Sequence, residues 1–332
     1  MKDRIITLAF LKETMMAQLN IRQWQRLINP VVAWVILCSL VLSLTPGFTS
    51  TAQGSNGQRI YALTTSNRLL RFNSTDPCKI NFQKKVTGLQ KGENLLGIDF
   101  RPANGKLYGL GSASRLYTIN PETAVATLVG TGSFTTPLTG KALGFDFNPT
   151  VDRIRIVSDT GQNLRLNPDT GAIAGIDATL AFTPTDIYAG SQPSIVAAAY
   201  TNNDNDPNTG TTLYDIDSKL DILAIQNPPN DGKLNTVGQL GFNTTRLVGF
   251  DISTSSIAYA VLMGVQQDEE READDWENGK RKEEEQKGEQ RGGGRKCGTS
   301  LLTTVDLATG KVARVGFIGS LAPVRGLAIP TQ

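Results

Sequence analysis

Three aspartates recur at one position of a repeated pentapeptide. LGIDF (Leu96–Phe100), LGFDF (Leu143–Phe147) and VGFDI (Val248–Ile252) place Asp99, Asp146 and Asp251 in register. The same position holds Ala199 in VAAAY (Val196–Tyr200) and Ala328 in RGLAI (Arg325–Ile329). Carboxylates that converge from separate strands suit a hard cation such as Ca2+. They also suit acid–base hydrolysis of a glycoside or lactone. A third role is architectural: an aspartate in a repeated strand accepts hydrogen bonds from backbone N–H groups of the next repeat or turn. Repetition favours that third role, because a catalytic pair needs unlike surroundings.

A second oxygen-rich stretch is NNDNDPNTG (Asn202–Gly210), where Asp204, Asp206 and Asn208 alternate as in a calcium loop. Its glycine is misplaced for an EF-hand and no glutamate follows at the bidentate position. A polar turn between two strands is the plainer reading. Asp159–Asn163 and Asp169–Gly171 also carry turn chemistry, and no helix pattern follows them to make a phosphate site. Asn73-Ser74-Thr75 and Asn243-Thr244-Thr245 fit the glycosylation sequon.

Composition removes whole classes of chemistry. The chain has no histidine, which excludes Ser-His-Asp and Cys-His nucleophiles and His-ligated transition metals. No basic stripe interleaved with aromatics is present, so nucleic acid is not an expected partner. No cofactor is called for, and calcium is the one ion that either carboxylate set would suit.

The elements that must carry the aspartates are short strands. After the first strand of each copy comes a turn and a second strand: KLYGL (Lys106–Leu110), RIRIV (Arg153–Val157) and SIAYAVL (Ser256–Leu262). RLYTINP, NLRLNP, TLYDID (Thr212–Asp217) and LLTTVDL (Leu301–Leu307) read as third strands. ATLVG, AIAGI, LAIQ (Leu223–Gln226) and ARVGF (Ala313–Phe317) read as fourth. The first-strand Gly or Ala positions lie 47, 53 and 52 residues apart from Gly97 to Gly249, then 77 to Gly326 across an insertion. Four antiparallel strands in about fifty residues is the content of a propeller blade. RIYALTTSNRLLRFN (Arg59–Asn73) lacks a first strand, and VRGLAI (Val324–Ile329) is a first strand with nothing after it. The C-terminal strand therefore completes the N-terminal blade and leaves no bare edge. The expectation is an all-β, five-bladed β-propeller, with an open stack or six blades as the alternatives. Closure would set Cys78 and Cys297 in neighbouring blades, where a disulfide would latch the seam; two separate thiols are the other reading.

The first 52 residues form a different unit. Basic residues precede the uncharged run Val31–Leu44, and Pro46-Gly47 and Ser50-Thr51-Ala52 follow it. At fourteen residues the run is short for a bilayer span and has the layout of a secretory signal, or of an uncleaved anchor helix. This segment carries a surplus of three positive charges against +2 for the whole chain, so residues 53–332 are net −1. The protein is expected to be exported and monomeric, touching membrane only through that segment. Gln266–Lys296 holds eleven acidic and eight basic residues with one aromatic, Trp276. Such a stretch cannot bury a core and reads as a disordered insertion within the 53–332 domain.

GIDFRPANGKLYGLG and LYTINPETAVATLVG, followed by GFDFNPTVDRIRIVSDTGQNLRLNPDTG, resemble the bacterial DUF4394 family, a domain of unknown function. The resemblance runs from about Ile60 to Ile329. It is sharpest in the second and third blades and looser after Tyr200. The charged insertion departs from the family pattern. The resemblance implies an exported propeller-type repeat protein and carries no established activity, so no catalytic residue is transferred. Three functions follow as expectations. The first is a non-catalytic propeller that presents loops to a protein, glycan or cell-surface partner. The second is a calcium-assisted hydrolase or lactonase built on the channel carboxylates, and the third a structural envelope component.

Overall fold

A computed structural model describes residues 57–204, 206, 208–263 and 297–331. The chain divides into two units, Met1–Ser55 and Asn56–Gln332, and every described element belongs to the second. The apolar run of the leader and the charged stretch 266–296 lie outside the described residues. No helix among those described is long and apolar enough to cross a membrane.

Blade one holds β1 (Arg59–Thr64), β2 (Arg68–Asn73) and β3 (Asp76–Lys85). Blade two holds β4 (Leu95–Phe100), β5 (Leu107–Gly111), β6 (Arg115–Ile119) and β7 (Ala126–Val129). Blade three is β8 (Leu143–Asn148), β9 (Arg153–Ser158), β10 (Asn163–Leu166) and β11 (Ile173–Ile176). A two-residue β12 (Ala181–Phe182) precedes blade four, which is β13 (Ile195–Tyr200), β14 (Leu213–Asp217), β15 (Ile222–Gln226) and β16 (Lys233–Gln239). Blade five is β17 (Gly249–Ile252), β18 (Ala258–Leu262), β19 (Leu301–Val305) and β20 (Val312–Phe317), and β21 (Val324–Ala328) follows. β21 pairs antiparallel with β1, with Ala62 opposite Leu327, so blade one has the order β21-β1-β2-β3. The ring is a five-bladed β-propeller closed by its C-terminal strand, as the repeat pattern predicts.

Blade four corrects the strand phase. TLYDID reads as a third strand and LAIQ as a fourth, yet β14 pairs directly with β13 and β15 is the third strand. Pairing decides a strand's rank, and among the described residues no strand lies between Tyr200 and Leu213. The fourth strand is β16, and β12 adds to it in parallel. The fourth strand of blade one, β3, also escapes the sequence pattern.

Burial explains which strands are legible. β13 is buried at every residue, whereas β20 is exposed or half-buried throughout. First strands are covered on both faces by neighbouring blades, so they read as continuous apolar runs; the outer strands need no such run. Apolar clusters fill the five gaps between neighbouring blades. Phe145 and Phe147 meet Tyr108 and Leu110 between blades three and two, and Leu327 meets Tyr259 and Val261 across the seam. At the axis the strands approach too closely for side chains. A Cβ at Gly144 would sit 2.6 Å from the Ala198 nitrogen, and one at Gly249 would sit 2.8 Å from the Gly326 carbonyl carbon. Glycine is needed there for space.

Cys78 in β3 is bonded to Cys297, just before β19, with Cα atoms 5.4 Å apart. The bond joins blades one and five, the two that meet at the seam.

Candidate functional site

The first strands run along the channel and all end at one side of the ring. There Asp99, Asp146 and Asp251 come together, each buried, with one oxygen apiece lying within 4.8 Å of the others. Each carboxylate also reaches into the next occupied blade. Asp99 accepts from its own blade's Phe100 N–H at 2.7 Å and from Phe147 N–H of blade three at 2.8 Å. Asp251 accepts from Ile252 N–H and from Ile329 N–H of blade one, both at 2.6 Å. Asp146 accepts from Tyr200 N–H of blade four at 2.8 Å.

These five amides occupy one equivalent position in the five blades. Where a blade carries alanine, at Ala199 and Ala328, the following amide (Ile252 or Phe100) is taken by the aspartate of its own blade. Three carboxylates thus satisfy the complete ring of amides. A buried backbone donor left without an acceptor costs about as much as a lost hydrogen bond.

Protonation follows from this arrangement. Burial is the largest influence on all three groups and favours the neutral acid. Asp99 is pushed up to about 7, with the Phe147 and Phe100 amides and a hydrogen bond from Asp146 holding it down. Asp146 is pushed well above the carboxylate range by burial and then by the charges of Asp99 and Asp251. Its contact with Asp99 also raises it. Asp251 is likewise raised, by burial and by Asp99. The channel beside them is narrow, with about 20 Å3 free between Gly97, Gly144, Ala197, Gly249 and Gly326. That is room for a water-sized occupant.

The Asn202–Gly210 stretch is elsewhere, in the β13–β14 connection, and does not join the trio. Asp204 Oδ1 accepts from the Asp206 amide at 3.0 Å, and Asp206 Oδ1 accepts from the Asn208 amide at 2.9 Å. The Asn208 Nδ2 also donates to Asp206, and the Asn208 amides hold that carboxyl below its usual range. Asn202 Nδ2 donates to the Gly210 carbonyl. These are the contacts of successive side-chain-capped turns.

Two arrangements escape the repeat comparison because they depart from it. In the second strands, Tyr61, Tyr108, Tyr214 and Tyr259 share a position that holds Arg155 in blade three. Buried Arg155 donates to Asp177 at 2.5 Å, Asn163 and Asn230 at 2.7 Å, and the Tyr200 hydroxyl at 3.3 Å. Across the same layer Asp215 is fully buried with neither oxygen hydrogen-bonded. Burial pushes it up to about 8, against the pull of Arg155. At the opposite end of the channel from the aspartates, Arg325 stands where the other copies have Leu96, Leu143, Val196 and Val248. Lys141 and Arg246 border the same opening. The signal for each was present as the odd residue in an aligned column.

Among curated proteins no match is found. Among solved structures, the WD40 domain of Toxoplasma gondii coronin is similar to 79% of this chain at 12% identity, with a TM-score of 0.37. The chain spans 58% of the length of that structure. The family model for DUF4394, a domain of unknown function, matches residues 68–283. That range covers well over half of the sequence and includes the inner strands that carry Asp99, Asp146 and Asp251, so the chain belongs to the DUF4394 family.

Proposed function

We propose that this protein is an exported, non-catalytic β-propeller that presents the loops of one face to a protein, glycan or cell-surface partner. The observation that carries this reading is the commitment of Asp99, Asp146 and Asp251 to the amides of five inner strands. Carboxylates that hold a ring together cannot turn or lend a proton to a substrate without opening it. The narrow channel beside them supports the same reading, since ligand pockets commonly exceed roughly 300 Å3. Export is supported by the Cys78–Cys297 bond, which an oxidising compartment sustains.

The face that fits is the one where the first strands begin. The connections Gly130–Ala142 and Asp177–Ser194 lie between blades on that side. β18 ends and β19 begins on that side as well.

The test is an assay of the full chain against a panel of glycosides and lactones, beside Asp146→Asn. The binding reading expects no turnover from either protein and a thermal shift with a binding partner such as an oligosaccharide. Turnover that disappears in a folded Asp146→Asn protein would replace it with the hydrolase reading. One observation favours that second reading in its calcium-assisted form: the three aspartate oxygens within 4.8 Å of one another. It expects calcium to raise the melting temperature and chelator to lower it. A purely structural envelope role expects neither turnover nor a ligand shift.

A further inference from the structure

The channel opens, where the first strands begin, into a small recess whose walls come from all five blades. Leu96, Leu143, Val196 and Val248 give four of the walls and Arg325 the fifth. Four copies therefore place an apolar side chain at the opening and one places a guanidinium. Arg325 is half-buried, and its Nε is shielded from solvent without a hydrogen-bond partner. Its Nη1 donates to the Leu95 carbonyl at 3.3 Å, a neutral acceptor. Among the described residues no carboxylate pairs with it. Burial holds its pKa below the usual arginine value. A cation drawn partly out of water without a counter-charge is costly, and the other copies show that the fold does not require one here.

Two more cations stand at the rim. Lys141, exposed and without an ion pair among the described residues, enters from the connection before β8, and Arg246 from the one before β17. One acid is close. Asp159 accepts from the Lys141 amide at 2.9 Å and lies 3.5 Å from the Arg246 Nε. Among the described residues, three positive side chains against one carboxylate leave the opening net positive, and low-dielectric walls concentrate that potential. The recess has about 40 Å3 free. This admits a single small group and leaves anything attached to it outside.

We propose that this opening binds a compact oxyanion, a carboxylate, phosphate or sulfate group, with Arg325 as its principal partner and Lys141 and Arg246 at the rim. A guanidinium presents its donors in the planar fork that such groups match, and charge-assisted contacts are the strong ones. The anion supplies the counter-charge that Arg325 lacks. The group arrives free or as the end of a larger ligand, whose remainder would lie against the loops of this face. The site rests on the reading of the ring as a binding module.

The test is calorimetric titration of the full chain, at low ionic strength, with inorganic phosphate, sulfate, acetate and galacturonate in separate runs. One saturable site per chain is expected for at least one of them, weakening as sodium chloride is raised. The preferred anion distinguishes a phosphate or sulfate ester from a uronic acid as the natural group. Arg325→Leu, the residue of two other copies, should weaken binding at least tenfold while circular dichroism stays unchanged. Arg246→Gln and Lys141→Gln, on exposed side chains that cannot unfold the ring, should each weaken it about two- to fivefold. No saturable binding with any of the four anions overturns the site, as does affinity that survives Arg325→Leu or is untouched by both rim variants. Failure here leaves the binding reading intact, whereas failure of that reading shows separately, as turnover dependent on Asp146.

Discussion

The three aspartates are chemically alike and their hydrogen-bonding duties differ. Asp99 and Asp251 each accept amides on both oxygens, one from their own blade and one from another. Asparagine offers one acceptor and would turn an NH2 toward the second amide. Asp99→Asn and Asp251→Asn should therefore each cost about 1–3 kcal/mol, the penalty of a buried unsatisfied donor. Asp146 accepts a single amide, on one oxygen, a contact that the one acceptor of asparagine keeps. Asp146→Asn should cost well under half as much, and urea unfolding at neutral pH would rank the three. A second prediction concerns pH. The folded ring holds protons on Asp99 up to about 7 and on Asp215 up to about 8, against 3.8 for the unfolded groups. The native state binds more protons in that window, so stability is full below about pH 4 for these groups and falls as pH rises through 7 and 8. The slope is at most about 1.4 kcal/mol per pH unit for each group. Asp215→Asn should flatten the upper part of the decline, and melting temperatures between pH 5 and 9 would show it. The shared position of Asp99, Asp146 and Asp251 was legible in the sequence, because strict repetition reports position. Their partners were not, because a backbone amide in the next blade has no letter of its own. Asp215 and Arg325 were hidden for the opposite reason: alignment by likeness passes over the one copy that differs.

At the scale of strands, burial decided what could be read. The inner strands announce themselves through runs such as LGFDF because both faces are covered, and the second strands are buried almost as fully. β3, β16 and β12 are mostly exposed or half-buried and need no apolar pattern, so the repeat comparison passes over them and sets blade four one strand out of phase. The Cys78–Cys297 bond ties two such weakly patterned places, an outer strand and the segment before β19. It spans a sequence separation of 219 residues, so its main effect falls on the unfolded chain. Replacing both cysteines with serine should lower unfolding free energy by about 2–5 kcal/mol and leave the blade pairing intact. Guanidinium titration of the oxidised protein and of the double variant measures the difference.

At the largest scale, the unit Asn56–Gln332 is a ring whose five sheets each cover their neighbours, so its cooperativity depends on closure. Without residues 324–332 blade one would keep three strands, and the inner edge of β1 would stand open beside the channel. A chain ended at Pro323 should lose its single sharp unfolding transition and associate through that edge, a change that scanning calorimetry and light scattering would detect. The ring also has two chemically different ends, with neutralised acids at one and, at the other, Arg325 without a counter-charge among the described residues. Circular closure has a further consequence in time. Residues are made in order, and of the described strands β1 is the first to leave the ribosome while its partner β21 is the last. Throughout synthesis the growing chain carries an unfinished first blade that nothing local can complete. The protein therefore becomes a ring in one late event, and whatever holds the early strands apart until then governs how much of it is made correctly.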